Sequence, residues 1–89
     1  MIVFYFSEKS KRQFRDLPEL IRERIRVKLH ELKSHPNIFF LARPVYGIYP
    51  ATHRLRVGKY RILMELIRNE NNLTEFEIFK IDLRGDIYR

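Results

Sequence analysis

The segment from His53 to Ile67 constrains the fold of this chain more than any other. Apolar and polar residues alternate from His53 to Val57, a Gly58-Lys59 pair follows, and an apolar-rich run continues from Tyr60 to Ile67. Alternation with a period of two is the pattern of a β-strand with one covered face, and a two-residue connection that contains glycine is typical of a tight hairpin. The segment therefore predicts two antiparallel strands that pair directly.

The same alternation divides the side chains of the hairpin between its two faces. Arg54 and Arg56 share one face, and Leu55 and Val57 share the other. Burying an unpaired guanidinium costs on the order of several kcal/mol, so we expect the leucine-valine face to lie under the rest of the protein. Arg61, across the turn, can join the arginine face, which is predicted to be open.

Two helices are predicted between an N-terminal strand and the hairpin. The uninterrupted apolar run Ile2–Phe6 is typical of a buried strand, and Ser7 follows it as an N-cap. A short helix is expected over residues 8–17. A longer helix over residues 18–34, with Asp16 as its cap, carries an apolar residue at every third or fourth position.

The strands beyond the hairpin complete the predicted sheet. A turn over Asn69–Asn72 leads into a last strand, Thr74–Leu83, whereas segment 37–52 keeps neither period and is compatible with a short strand around Leu41. The order strand, helix, helix, strand, strand, strand predicts one α+β domain over residues 1–89. In it a helical hairpin packs on one face of a four-stranded sheet, and the last three strands form an antiparallel meander.

Composition narrows the function classes. The 18 lysines and arginines against 11 acidic residues give a formal net charge of +7, which favours nucleic acid as a partner, with solvated helix faces as the alternative source of the charge. The chain has no cysteine, and its three scattered histidines show no zinc-binding spacing, so we expect no metal and no cofactor. The short N-terminal apolar run is followed by charges, which predicts a cytoplasmic protein without a signal peptide or membrane span.

Further candidate site residues follow the last strand. Arg84 stands next to Gly85, where the backbone can turn, and Tyr88 follows four residues after the arginine. Arginine forks bind phosphate oxygens in pairs and a tyrosine ring can stack on an unpaired base, a combination typical of a single-stranded RNA site. Arginines on the solvent face of a sheet are also commonplace, so the pattern alone is equally compatible with an ordinary solvent-exposed face that has no binding site.

The segment HRLRVGKYRILMEL, followed after a turn by FKIDLRGDIYR, resembles the C-terminal half of RelE-type toxins of the RelE/ParE superfamily. The helical hairpin around LPELIRERI is similar to the N-terminal half of the same family. The resemblance implies the toxin of a type II toxin-antitoxin system, a metal-independent endoribonuclease that cuts messenger RNA in the ribosomal A site by attack of a 2′-hydroxyl on the adjacent phosphate. It implies an acidic antitoxin, messenger RNA and the ribosome as partners, with operator DNA bound only through the antitoxin.

The resemblance also implies roles for the residues at matching strand positions. By this resemblance, Arg54 and Arg61 are catalytic residues that hold the scissile phosphate. Arg84 and Tyr88 are also catalytic: Arg84 faces the leaving oxygen, and Tyr88 orients a base. Arg56 and Lys59 are implied to bind RNA. The apolar loop Ile38–Leu41 is a candidate part of the antitoxin interface.

The general base of such a reaction is left open by the sequence. Some members of the family carry lysines where this chain has Arg54 and Arg56, and arginine, which keeps its proton, is a poor base. His53 has a suitable intrinsic pKa but shares the parity of Leu55, toward the helices. Glu65 shares the parity of Arg61 but lies roughly 13 Å away along the strand, and we expect it to pair with an arginine.

Two other function classes compete with the ribonuclease. One is a gyrase-directed toxin of the ParE branch, which would use the same fold without ribonuclease chemistry. The other is a non-catalytic nucleic-acid-binding module, whose affinity would fall steeply with salt. The tyrosines outside the candidate site are expected to be packing residues in either case: Tyr5, Tyr46, Tyr49 and Tyr60.

Overall fold

A five-stranded mixed sheet, in the order β1-β5-β4-β3-β2, supports two helices in the computed structural model, which describes residues 1–83. The elements in chain order are β1 (Ile2–Phe6), α1 (Glu8–Arg15), α2 (Glu19–Ser34), a 3₁₀ helix (Ile38–Phe40), β2 (Arg43–Pro44), β3 (His53–Val57), β4 (Tyr60–Glu70) and β5 (Leu73–Leu83). β1 runs parallel to β5, and the other neighbouring strands are antiparallel. The predicted α+β class and the meander of β3, β4 and β5 are confirmed.

The prediction of a four-stranded sheet was wrong by one strand. Arg43 and Pro44 pair with Arg54 and His53 and form the short outer strand β2. Two residues are too few for a period of two to be visible in the sequence. Pro44 is tolerated in this place because β2 is an edge strand, where one side of the backbone needs no partner.

The junction between the two helices also differs from the prediction. Ser7 caps α1 as expected, since its Oγ accepts a hydrogen bond from the Ser10 backbone N–H at 3.1 Å. Asp16 does not begin α2. It ends α1, where its N–H donates to the Arg12 carbonyl at 3.1 Å, and Pro18 is the residue that precedes α2. The Pro18 carbonyl accepts the first helical bond of α2, from the Arg22 N–H at 3.0 Å.

The β3–β4 hairpin turns at Gly58 and Lys59, as the sequence predicts, and Gly58 adopts a φ of +59°. Its register sets Leu55 opposite Ile62 and Arg56 opposite Arg61. Residues directly opposite each other in an antiparallel pair project from the same face of the sheet. The predicted separation of apolar and arginine faces is therefore confirmed for β3 and the start of β4.

The hydrophobic core lies between the helices and the Leu55 face of the sheet. Helix α2 contributes Ile25, Leu29 and Leu32, and the sheet contributes further fully buried side chains, among them Leu55, Ile62, Met64, Phe76 and Ile78. The Phe76 ring lies at the centre of an aromatic cluster, 5.9 Å from Phe4, 6.2 Å from Phe39 and 5.5 Å from His53 between ring centroids. Phe76 thus joins β1, the 3₁₀ helix and β3.

The expected packing role of the tyrosines holds for one of the four. Tyr60 packs against the core, whereas Tyr46 and Tyr49 are 86% and 96% exposed. Both lie in the loop between β2 and β3, a segment whose structure the sequence pattern did not predict. Tyr5 projects from the face of β1 opposite to Phe4 and Phe6 because of its parity, and its hydroxyl donates to Glu75 Oε2 at 2.6 Å.

We expect Phe76→Ala to lower the free energy of unfolding by about 3–5 kcal/mol, because it removes the ring on which three elements meet. Phe40→Ala, at a phenylalanine that is 66% exposed, should change it by less than about 1 kcal/mol. Urea unfolding of the purified proteins measures both. If Phe76→Ala does not fold, Phe76→Leu gives a measurable smaller loss, and equal stability of Phe76→Leu and the wild type would contradict the central role of the ring.

Candidate nucleic-acid interface

Strand β3 positions the candidate cations on one face of the sheet. Arg54 lies opposite Arg43 of β2, and Arg56 lies opposite Arg61 of β4. The Cβ atoms of directly opposite residues are about 4.5–5.5 Å apart. Four arginines from three neighbouring strands therefore share this face as two directly opposed pairs.

Arg43 is the member of this set that sequence reasoning missed. It belongs to the two-residue strand β2, so no alternation in the sequence reveals the direction of its side chain. Only the pairing with Arg54 assigns it to the arginine face. Its side chain is exposed.

Most of this charge is not neutralised by neighbouring carboxylates. Within the part of the chain that the structure describes, no ion pair involves Arg43, Arg54 or Arg56. Like charges directly opposite each other in a sheet are destabilising. A face that carries several cations in spite of this repulsion is suited to binding a polyanion.

Arg61 differs from the other three arginines because it is only 6% exposed. It lies on the central strand, between Arg56 of β3 and Asp82 of β5, and neighbouring Leu63 on the same face is buried as well. The expectation that this sheet face is open is therefore wrong at the centre of the sheet. On the same face, the long residue Lys80 of β5 lies opposite Leu63.

The remaining predicted site residues divide into two groups. Lys59 is exposed in the hairpin turn, and Arg56 is exposed near the end of β3. Arg84 and Tyr88 lie outside the described residues, so their assignments remain predictions. Of the loop proposed as an antitoxin contact, Ile38 is buried in the core and Phe40 is exposed.

His53 projects toward the core, as its parity predicted, and not toward the arginines. Its ring lies 5.3 Å from the Phe39 ring and 5.5 Å from the Phe76 ring between centroids, and its Nδ1 is 2.9 Å from the Thr52 hydroxyl. Burial lowers the pKa of His53 from its ordinary value. Its position on the core face separates it from the phosphates that the arginine face would bind.

Glu65 does not supply a base beside the arginines either. It lies opposite Glu77 of β5, and the buried Leu63 separates it from Arg61 along β4. The expected ion pair between Glu65 and an arginine is not present among residues 1–83. The described part of the face therefore offers cations for binding phosphate and stabilising negative charge. Its carboxylate beside them is Asp82, which lies opposite Arg61 and 3.5 Å from the Lys80 ammonium.

The described residues form neither a metal-binding cluster nor a membrane-spanning helix. No group of three or more acidic, histidine or cysteine residues within 1–83 is arranged to hold a metal ion. None of the helices in the same range is long and apolar enough to cross a membrane.

Comparison with known proteins gives a match in structure alone. No family model and no curated protein matches the sequence. The fold is similar to that of a chain in the crystal structure of a RelB-RelE antitoxin-toxin complex from Methanococcus jannaschii, with a TM-score of 0.65 and 24% sequence identity over 94% of each chain. At this identity, the similarity establishes a shared fold.

The burial of His53 predicts a pH dependence of stability. Because the pKa of His53 is lowered in the folded protein, the unfolded chain takes up a proton at a higher pH than the folded one. The stability contributed by the neutral ring is present above the ordinary histidine pKa and is lost as the pH falls through the lowered value. Urea midpoints between about pH 8 and about pH 5 should fall less for His53→Phe than for the wild type.

The matched control for this measurement is His30→Gln, because His30 is exposed on α2. This variant should keep the pH dependence of the wild type. Identical pH profiles for His53→Phe and the wild type would show that the half-buried imidazole does not contribute.

Proposed function

We propose that this protein is the toxin of a type II toxin-antitoxin system and that it cuts messenger RNA on the ribosome. The observation that carries the proposal is the set of opposed arginines, Arg43 with Arg54 and Arg56 with Arg61, on one face of the sheet. The fold that holds them is shared with a chain of an antitoxin-toxin complex. The sequence resemblance described above supports the ribonuclease chemistry.

In the proposed reaction, the RNA itself supplies the nucleophile. The 2′-hydroxyl of one nucleotide gives its proton to solvent water, and its oxygen forms a bond to the adjacent phosphorus. The bond from phosphorus to the 5′-oxygen of the next nucleotide breaks, and that oxygen takes up a proton from solvent water. The products are a 2′,3′-cyclic phosphate and a 5′-hydroxyl, and negative charge on the phosphate oxygens increases on the way.

The arginines stabilise this increase in charge. Arg54 and the exposed Arg56 hold the phosphate backbone through paired hydrogen bonds, which a guanidinium is shaped to donate. Arg61 contributes positive potential from its buried position between Arg56 and Asp82, and it must be uncovered before it contacts a phosphate directly. Arg84 stabilises the leaving oxygen, Tyr88 stacks on a base, and Lys59 contacts the backbone of the RNA.

The partner that silences the toxin is proposed to be an acidic antitoxin. The net charge of +7, together with Arg43, Arg54 and Arg56, which form no ion pair within residues 1–83, favours a chain rich in carboxylates. Such a chain can remain partly disordered until it folds onto the toxin. By covering the arginines, it would block access of RNA to the same face.

We expect the wild type to cut messenger RNA on programmed ribosomes within the A-site codon, leaving 2′,3′-cyclic phosphate ends. Arg54→Ala and Arg84→Ala should each lower the cleavage rate by about 10²-fold or more, because each removes a cation from the reacting phosphate. Mapping the 3′ ends of the products measures both the position and the rate. Arg12→Ala, at an exposed arginine on α1 remote from β3, is the matched control and should cut like the wild type.

Other results would change the assigned residues or the assigned function. Unchanged cleavage by Arg54→Ala or Arg84→Ala would remove that residue from the mechanism. If the folded wild type leaves RNA intact and inhibits DNA gyrase, the protein is a gyrase-directed toxin. Binding of RNA without cleavage or gyrase inhibition would indicate a non-catalytic nucleic-acid-binding module.

A further inference from the structure

The outer edge of β3 is only partly covered. β2 pairs with His53 and Arg54, and within residues 1–83 no further strand pairs with this edge between Leu55 and Val57. Before β2 the chain forms the 3₁₀ helix, and α2 runs nearby. Between these elements and the edge of β3 is a cavity of about 360 Å³.

The side chains that line this cavity carry a single sign of charge. The four charged residues that line it within the described part of the chain are all cations, from α2, β2 and β3: Lys28, Arg43, Arg54 and Arg56. Lys28 has a carboxylate partner, Glu31, at 3.5 Å, and the three arginines have no ion pair within the described residues. A cleft lined by like charges concentrates anions, so this cavity is suited to bind phosphate groups.

An exposed aromatic ring stands beside these cations. Phe40 lines the cavity, and 66% of its surface is exposed. The His35 ring stacks on it with a centroid separation of 6.4 Å and an angle of 6° between the ring planes. A ring that is supported by a neighbour and still largely exposed can stack on an unpaired base.

The cationic surface continues along β3 toward the hairpin turn. A second cavity, of about 430 Å³, shares Lys28 and Arg56 with the first and extends to Arg24 and Gly58. From Arg54 to Gly58 the edge is about 13 Å long at the usual rise of a strand. Among residues 1–83, the only acidic residue that lines this second cavity is Glu23, which is paired with Arg26 at 3.3 Å.

We propose that a single strand of RNA lies along this edge of β3 and extends from Arg54 and Arg56 onto Arg43 and Phe40, two residues to which the resemblance implies no role. Arg43, Arg54 and Arg56 bind successive phosphates, and Phe40 stacks on an unpaired base. The identification of the ligand as RNA rests on the proposed function. Single-stranded nucleic acid fits the edge because phosphates and stacked bases match both features of the cavity, its arginines and its exposed ring.

An acidic protein segment is the competing occupant. It would be expected to use the exposed apolar residues Leu20 and Val27 of the second cavity in addition to the cations. Those residues lie away from Phe40 and Arg43, which line only the first cavity. Substitutions at the two ends of the edge therefore distinguish the two ligands.

The test is binding of a fluorescent 2′-O-methyl oligoadenylate, which cannot be cut because the 2′-hydroxyl is blocked. Fluorescence anisotropy over a range of salt concentrations gives the affinity and its salt dependence. Arg43→Ala should weaken binding and reduce the slope of log K against log salt by about 0.7, the change expected for one lost phosphate contact. Phe40→Ala should weaken binding at least about fivefold with an unchanged slope, and Phe40→Tyr should restore it.

Two control variants test whether these effects are specific to the site. Tyr46→Ala removes an aromatic ring that is more exposed than Phe40 but does not line the cavity, so it should bind like the wild type. Leu20→Ser should also bind like the wild type. Thermal unfolding confirms that each variant is folded.

Wild-type affinity in both Phe40→Ala and Arg43→Ala would overturn the proposal. It would also be overturned if the oligonucleotide does not bind while a glutamate-rich peptide binds and is weakened by Leu20→Ser. The cleavage assay stands apart from this result. Binding with the expected pattern and no cleavage contradicts the ribonuclease alone, and cleavage with unaltered binding in the variants contradicts only the edge site.

Discussion

The register of the β3–β4 hairpin is the constraint on which the rest of the structure depends. The turn at Gly58 and Lys59 sets Leu55 opposite Ile62 and Arg56 opposite Arg61. A slip by one residue would turn the apolar side chains toward solvent and the arginines toward the helices. The gain from burying leucine and isoleucine and the cost of burying a guanidinium therefore select the same register, and the arginine face follows from it.

Position across the sheet then decides what each arginine can do. Arg61 and Arg56 are directly opposite each other, yet one is buried and the other exposed. At Arg61, β4 has a partner strand on each side, whereas β2 pairs only with His53 and Arg54 and leaves Arg56 without an outer partner strand within residues 1–83. In the proposed function, the shortness of β2 therefore matters for binding as well as for structure. It leaves a gap beside the cations at the edge of the sheet, where a ligand can reach them.

The sequence predicted the features that repeat over many residues and missed those that depend on neighbours in space. The apolar stripe of α2 and the alternation in β3 recur often enough to identify each element and its buried face. β2 has two residues and no period, so the sequence allowed a short strand around Leu41 but could neither place it at Arg43–Pro44 nor give the direction of Arg43. Arg61 is 6% exposed, and no local pattern in the sequence reveals this burial. Arg84 and Tyr88 lie outside the described residues, and that part of the candidate site rests on the sequence alone.

The arginine face also reduces the stability of the fold that carries it. Directly opposed like charges in a sheet cost on the order of 0.2–1 kcal/mol per pair, and a domain of this size buries too little surface for such a cost to be negligible. The core around Phe76 offsets it without using the arginines, since the two groups lie on opposite faces of the sheet. An anion that binds the face relieves the repulsion and stabilises the fold through linkage. RNA and an acidic partner protein would both have this effect, so competition for the face and stabilisation of the domain have the same physical origin.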